Sequence, residues 1–63
     1  GWLNYGGTWY YLSSSGALAT GWVRDRGAWY YMDDTGAMVT GTREIEGRSS
    51  TFSASGRWVG YAS

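Results

Sequence analysis

The chain has 63 residues, five basic and five acidic, so it forms at most one small domain with a formal charge of zero. It contains no Cys and no His, which removes disulfides, thiolate metal sites and the commonest general base. Its basic residues are all Arg (Arg24, Arg26, Arg43, Arg48, Arg57), with no basic stripe for nucleic acid, no polybasic membrane patch and no apolar run of membrane-spanning length.

Against that background stand five Trp, six Tyr and one Phe, or 19% of the chain. Disordered low-complexity segments rarely carry such a load, so these rings form a core, a binding surface, or both.

In chain order, "WLNY" (2–5) and "TWYYL" (8–12) are rich in β-formers and are separated by Gly6-Gly7, which predicts a β-hairpin. "SSSG" (13–16) reads as a polar turn, and "ALAT" (17–20) leads onward. Residues 21–40 then repeat residues 1–20 without a gap. Gly21, Trp22, Gly27, Trp29, Tyr30, Tyr31, Gly36, Ala37 and Thr40 match Gly1, Trp2, Gly7, Trp9, Tyr10, Tyr11, Gly16, Ala17 and Thr20. The second hairpin turns at Asp25-Arg26-Gly27. Residues 41–60 keep the period through Gly41, Gly47, Gly56 and Val59 but lose most of the aromatics. Thr42 replaces the first Trp, Ser49-Ser50-Thr51 replace Trp-Tyr-Tyr, and Trp58 stands at the Leu18/Met38 position. This degenerate third unit reads as a cap, turning at Glu46-Gly47, with residues 61–63 as a tail or the start of a fourth unit. The whole reads as a repeat module cut from a larger protein. No stretch shows helical periodicity, so the expected fold is all-β, three tandem hairpins sharing apolar contacts as a solenoid.

Side chains alternate along a strand, so Trp9 and Tyr11 share one face while Tyr10 and Leu12 share the other; Trp29, Tyr31, Tyr30 and Met32 repeat the pattern. Trp2 and Trp9 lie on the two strands of one hairpin and can stand side by side. Ring faces around a gap suit an organic cation, stack on sugars, or simply pack as core. Tyr10, Tyr30, Leu12 and Met32 are the best candidates for packing alone.

The phrase Gly-Trp, Gly-x-Trp-Tyr-Tyr-Leu/Met, Gly-Ala-Leu/Met-x-Thr-Gly-Trp, with a period of twenty, resembles the choline-binding or cell-wall-binding repeat family of bacterial surface proteins. The resemblance is strong over residues 1–41 and weak over 41–61. It implies hairpins stacked as a left-handed β-solenoid, with choline of teichoic acids, or a related wall glycopolymer, held in aromatic boxes between successive hairpins. Each box would take two Trp from one hairpin, a Tyr from the next and sometimes a linker Met. Carried onto this chain, that implies one site at Trp2, Trp9 and Tyr31 with Leu18 at the Met position. An incomplete second site at Trp22, Trp29 and Met38 would be left open by Thr51. Similar repeats in glucosyltransferases and clostridial toxins bind carbohydrate, which gives the first alternative; a structural or self-association module is the second.

The polar residues add no catalytic chemistry. Asp33-Asp34 occupies the place of Ser13-Ser14 and reads as a solvated turn; Glu44 and Glu46 lack a cleft and read as partners for Arg43, Arg48 or a neighbouring strand. No His or Lys lies near Ser49, Ser50, Ser53 or Ser55 to activate a hydroxyl. No catalytic residue, metal site or cofactor motif is expected. The reading is a non-enzymatic, extracellular, cell-wall-associated anchor. Its partner would be a wall polymer, without nucleic acid or membrane insertion, and it would self-associate weakly through its solenoid ends.

Overall fold

The computed structural model describes residues 1–62 and is all-β, with no helix among them. Strands β1 (Trp2–Tyr5) and β2 (Thr8–Tyr11) form the first hairpin, β3 (Gly21–Asp25) and β4 (Ala28–Met32) the second, and β5 (Gly41–Ile45) and β6 (Arg48–Phe52) the third. A seventh strand, β7 (Trp58–Tyr61), pairs antiparallel with β6, so the third unit is a three-stranded sheet. The segment expected as a tail thus begins inside a strand. Its precedents are single bridges in the first two units, Leu12 to Leu18 and Met32 to Met38, and Phe52 pairs with Trp58 in the same place.

Each hairpin turns through two residues of positive φ: Gly6-Gly7, Arg26-Gly27 and Glu46-Gly47. That conformation matches the right-handed twist of the flanking strands. Glu46 therefore sits in a turn and shares no strand face with Glu44, whose partner across the sheet is Ser49.

The register assigns two faces to every hairpin. In the first, Trp2 opposes Tyr11 and Asn4 opposes Trp9, which puts Trp2, Asn4, Trp9 and Tyr11 on one side and Leu3, Tyr5, Thr8 and Tyr10 on the other. The second repeats this, with Trp22, Arg24, Trp29 and Tyr31 in front and Val23, Asp25, Ala28 and Tyr30 behind. The hairpins stack front to back. The front of the first meets the back of the second, as the Trp2 Nε1–H shows by donating to Asp25 Oδ2 at 3.0 Å.

The linker after each hairpin locks this stacking. Met38 N–H donates to the Trp9 carbonyl at 2.9 Å, tying the second linker to the first hairpin. Leu18 lies over Gly36 and Met38 over Gly56, so closely that a Cβ would fall 2.6 Å from Leu18 Cδ2 and 2.3 Å from Met38 Sδ. Both glycines have φ of +88°, so close approach and backbone conformation select the same residue.

The core lies toward the C-terminal end. Val39, Ile45 and Phe52 form a buried cluster, with Tyr31 and Trp58 against it; Val23 and Met32 are also buried. The third hairpin turns its polar front, Thr42, Glu44, Ser49 and Thr51, outward, and Thr42 and Thr51 approach to 3.5 Å across the pair. Loss of Trp-Tyr-Tyr from this unit makes that face polar. The opposite end leaves Leu3 and Tyr5 exposed.

Candidate functional site

Two aromatic cavities lie between the hairpins. The first, about 330 Å³, is lined by Trp2, Trp9, Tyr30, Met38, Ala54 and Ser55. Trp2 and Trp9 meet nearly at right angles (84°, centroids 6.4 Å), and Tyr30 stands edge-on to Trp2 at 4.8 Å and 70°. Two rings come from the front of one hairpin and the third from the back of the next. Near-perpendicular faces leave a corner in which a cation can lie within about 6 Å of several ring centroids.

The tyrosine in this box is Tyr30, where the sequence expectation has Tyr31. Tyr31 lies on the front of its own hairpin, beside Trp22 (centroids 5.1 Å), and packs toward the core. The expectation fails because front-to-back stacking brings the opposite strand face into the box, and Tyr30, expected only to pack, is on that face. Leu18 also lies elsewhere, half exposed above Gly36. The linker residue that reaches the box is Met38, because it belongs to the hairpin that closes the cavity. Ala54 and Ser55 arrive with the third turn, which seats on Met38 through Gly56. Trp2 and Trp9 stand where the sequence reading has them.

The second cavity, about 280 Å³, is lined by Trp22, Trp29, Trp58 and Tyr61. Trp22 and Trp29 reproduce the first pair (89°, 6.2 Å), as expected from their repeat positions. Met38, expected here, is in the first box. Trp58 takes the Met38 position and stands at 87° and 6.2 Å from Trp22. The period places Ser50, not Thr51, opposite this box at the Tyr30 position. Ser50 is buried, and its partner across β6–β7 is Tyr61, which meets Trp58 edge-on at 5.2 Å. A small residue on β6 thus leaves the space that a tyrosine from β7 fills. Ser50 Oγ and Trp58 Nε1 are buried there without hydrogen-bond partners.

The polar turns are structural. Asp33 accepts hydrogen bonds from the Thr35 hydroxyl and from the Thr35 and Ala37 backbone N–H groups, which, led by the Thr35 hydroxyl, hold its carboxyl below the usual value; Arg43 adds a smaller effect. Ser13 and Ser53 cap their turns in the same way, accepting from Ala17 and Arg57. No group of three His, Cys, Asp or Glu side chains placed to hold a metal occurs among the described residues.

Comparison with known proteins identifies the repeat and its fold. A family model described as a cell wall binding repeat, of the choline-binding class, matches residues 1–18 and 20–38. Among solved structures, CbpJ from Streptococcus pneumoniae superposes with a TM-score of 0.91 at 45% identity over 94% of this chain, which spans only 20% of CbpJ. The choline binding domain of Spr1274 in Streptococcus pneumoniae gives 0.85 at 33% identity, covering 94% of this chain and 91% of that one. The pneumococcal cell wall endolysin from phage Cp-1, solved in complex with choline, gives 0.87 at 39% identity over 92% of this chain and 18% of its own. No curated protein sequence matches the chain.

Proposed function

The chain belongs to the choline-binding, cell wall binding repeat family, and from that membership we propose that it is a non-catalytic module that holds its parent protein on a bacterial cell wall by binding choline. The observation that carries this reading is the first box: Trp2 and Trp9 of one hairpin, with Tyr30 and Met38 of the next, around one open cavity. Quaternary ammonium groups are held by such rings at about 0.5–2 kcal/mol per face when desolvated. Trp9 and Trp29 are 43% and 41% exposed, more than packing alone requires of so large a ring.

The natural partner in this reading is a choline-decorated teichoic acid or a related wall glycopolymer, met outside the cell. Each box binds weakly, and affinity for a polymer comes from engaging several boxes at once. Any chemistry lies with the rest of the parent protein.

The test is tryptophan fluorescence and thermal melting of this chain with choline chloride, tetramethylammonium as shape control and sodium chloride as ionic control. Saturable binding with a raised melting temperature, specific to the quaternary ammonium, supports the proposal. A response no larger than that to salt removes choline as the ligand and directs the search to glucans and wall glycans.

A further inference from the structure

The chain takes a different path after its third polar turn than after its first two. Leu12 and Met32 each make a single bridge to the linker, at Leu18 and Met38. Ala19 N–H then donates to the Tyr11 carbonyl at 2.8 Å and Val39 N–H to that of Tyr31 at 2.9 Å, and the chain leaves for the next hairpin. After the third turn it makes the same bridge, Phe52 to Trp58, but stays on β6 as β7. Gly60 pairs with Thr51, Tyr61 pairs with Ser50, and the Ala62 N–H donates to the Ser49 carbonyl at 2.9 Å.

Two substitutions on one face of β6 accompany this return. Alternate residues share a strand face, so Arg48 and Ser50 lie together. The period puts Thr8 and Ala28 at the first of these positions and Tyr10 and Tyr30 at the second. Both substitutions act on the same ring. Ser50 is the cross-strand partner of Tyr61, and the Arg48 guanidinium stacks 3.5 Å from the Tyr61 ring centroid. Ser50 Oγ is buried without a hydrogen-bond partner, so this position contributes small volume and not a polar contact. A third feature aims the ring. The register shifts between Thr51 and Phe52, which leaves Val59 as an unpaired, exposed bulge. In an unbroken strand Trp58 and Tyr61 would point to opposite faces; one bulged residue brings them to the same face, where they meet edge-on at 5.2 Å.

We propose that Arg48 and Ser50 form a receptor for Tyr61 that decides the path of the chain after the third turn. The small residue at 50 opens a slot, the guanidinium at 48 covers the ring, and β7 is latched to β6. A tyrosine at 50, as at the equivalent positions of the first two units, fills the slot and releases the chain after the Trp58 bridge. The latch is a property of the fold and does not depend on what either cavity binds. Its opening withdraws Tyr61 from the lining of the second cavity.

Proton–nitrogen NMR of the intact chain, with no ligand added, reads the latch through amide exchange at Ala62 and through nuclear Overhauser contacts of Gly60 with Thr51 and of Tyr61 with Trp58. Ser50→Tyr is expected to abolish these contacts and to lower Ala62 protection about tenfold or more. The second hairpin keeps its Val23–Tyr30 pairing, and Phe52 keeps its contact with Trp58. Ser50→Ala, equally small and without the hydroxyl, keeps β7 in place. Arg48→Ala lowers Ala62 protection about two- to fivefold, and Arg48→Lys restores part of it, because an ammonium also lies favourably over a ring.

Contacts and protection of β7 unchanged by Ser50→Tyr, or lost as fully in Ser50→Ala, overturn the proposal. Tyr61→Ala tests the latch independently of whether Ser50→Tyr folds, since it removes a half-exposed ring from an edge strand. Loss of the Gly60–Thr51 contacts in that variant supports the proposal; their retention shows that backbone pairing alone holds β7 and overturns it. Protection unchanged by Arg48→Ala, or lost equally in Arg48→Lys, overturns the assignment of Arg48 to the receptor.

Discussion

The indole of Trp2 stands edge-on to the phenol ring of Tyr30, 28 residues on and one hairpin further along, with centroids 4.8 Å apart. Its N–H reaches the same hairpin at Asp25. Trp22, the repeat equivalent of Trp2, has no carboxylate at the corresponding position; Ile45 is there, buried in the core. One interface therefore carries a polar tie at this position, and the next has an apolar contact in its place.

Tyr30 and Tyr31, adjacent in sequence, separate binding from stability. Tyr30→Ala removes one wall of the first box and lowers its choline affinity roughly five- to thirtyfold, on the basis of about 1–2 kcal/mol for a desolvated ring. Tyr31→Ala leaves that box intact but strips a ring from beside Val39, Ile45 and Phe52, and is expected to cost about 2–3 kcal/mol of folding stability. Choline titration followed at the Trp2 and Trp9 indoles, with urea unfolding of both variants, checks the pair. Equal effects of the two substitutions on affinity would contradict the assignment of Tyr30 to the box.

The Asp25 tie is expected to contribute about 1–2 kcal/mol, typical of a hydrogen bond to a charged group at a half-buried site. Asp25→Ala should lose this amount, and Asp25→Asn, which keeps an acceptor oxygen, should lose less than half of it. In the Trp2→Phe background, where the donor is gone, Asp25→Ala should cost little. A double-mutant cycle by urea denaturation gives the coupling directly.

Much of this arrangement is legible in the sequence. A gapless period of twenty, paired Trp and glycine turns define the hairpins, and Trp2 with Trp9 falls out of strand pairing. Which ring closes the box is not legible from alternation within one hairpin, because it depends on which faces of two hairpins meet. Tyr30 and Tyr31 fit the local pattern equally well, and only stacking decides between them. The second box is harder still. Its walls come from Trp58, which the period places at a linker Met, and from Tyr61, which lies beyond the repeat and enters because Ser50 is small. A substitution to a small residue reads in the sequence as a lost wall, whereas in the fold it makes room for one from another strand.

Two turns carry strain that can be relieved. Arg26 and Glu46 adopt φ of 52° and 53°, in the left-handed region, at the position the first hairpin fills with Gly6. Asn tolerates this conformation better than either. Arg26→Asn and Glu46→Asn should each stabilise the chain by about 0.5–1 kcal/mol, and the double variant should show their sum, since the turns belong to different hairpins. Thermal and urea unfolding measure this, and both boxes should bind choline unchanged. A loss of stability in either variant would show that the native side chain does more at the turn than tolerate its backbone.

Asp33 makes the second turn sensitive to acid in a way the other two cannot be. Its carboxylate holds the turn through the Thr35 hydroxyl and two backbone N–H groups, whereas Ser13 and Ser53 do the same work with neutral hydroxyls. These bonds favour the ionised form, so the folded pKa lies below the ordinary 3.8. The unfolded chain then binds the proton more readily than the folded one in the interval between the two values. The stabilisation is therefore complete above the ordinary carboxylate pKa and is lost as pH falls through the folded one. Asp33→Ser, which borrows the residue of the first and third turns, keeps a capping oxygen without the charge. The melting temperature of the native chain should exceed that of the variant at neutral pH, and the gap should close as pH falls below about 4. Added salt should narrow it only slightly, because Arg43 contributes less than the hydrogen bonds. A gap that stays constant from neutral pH to pH 2 would assign the effect of Asp33 to the shape of its side chain and not to its charge.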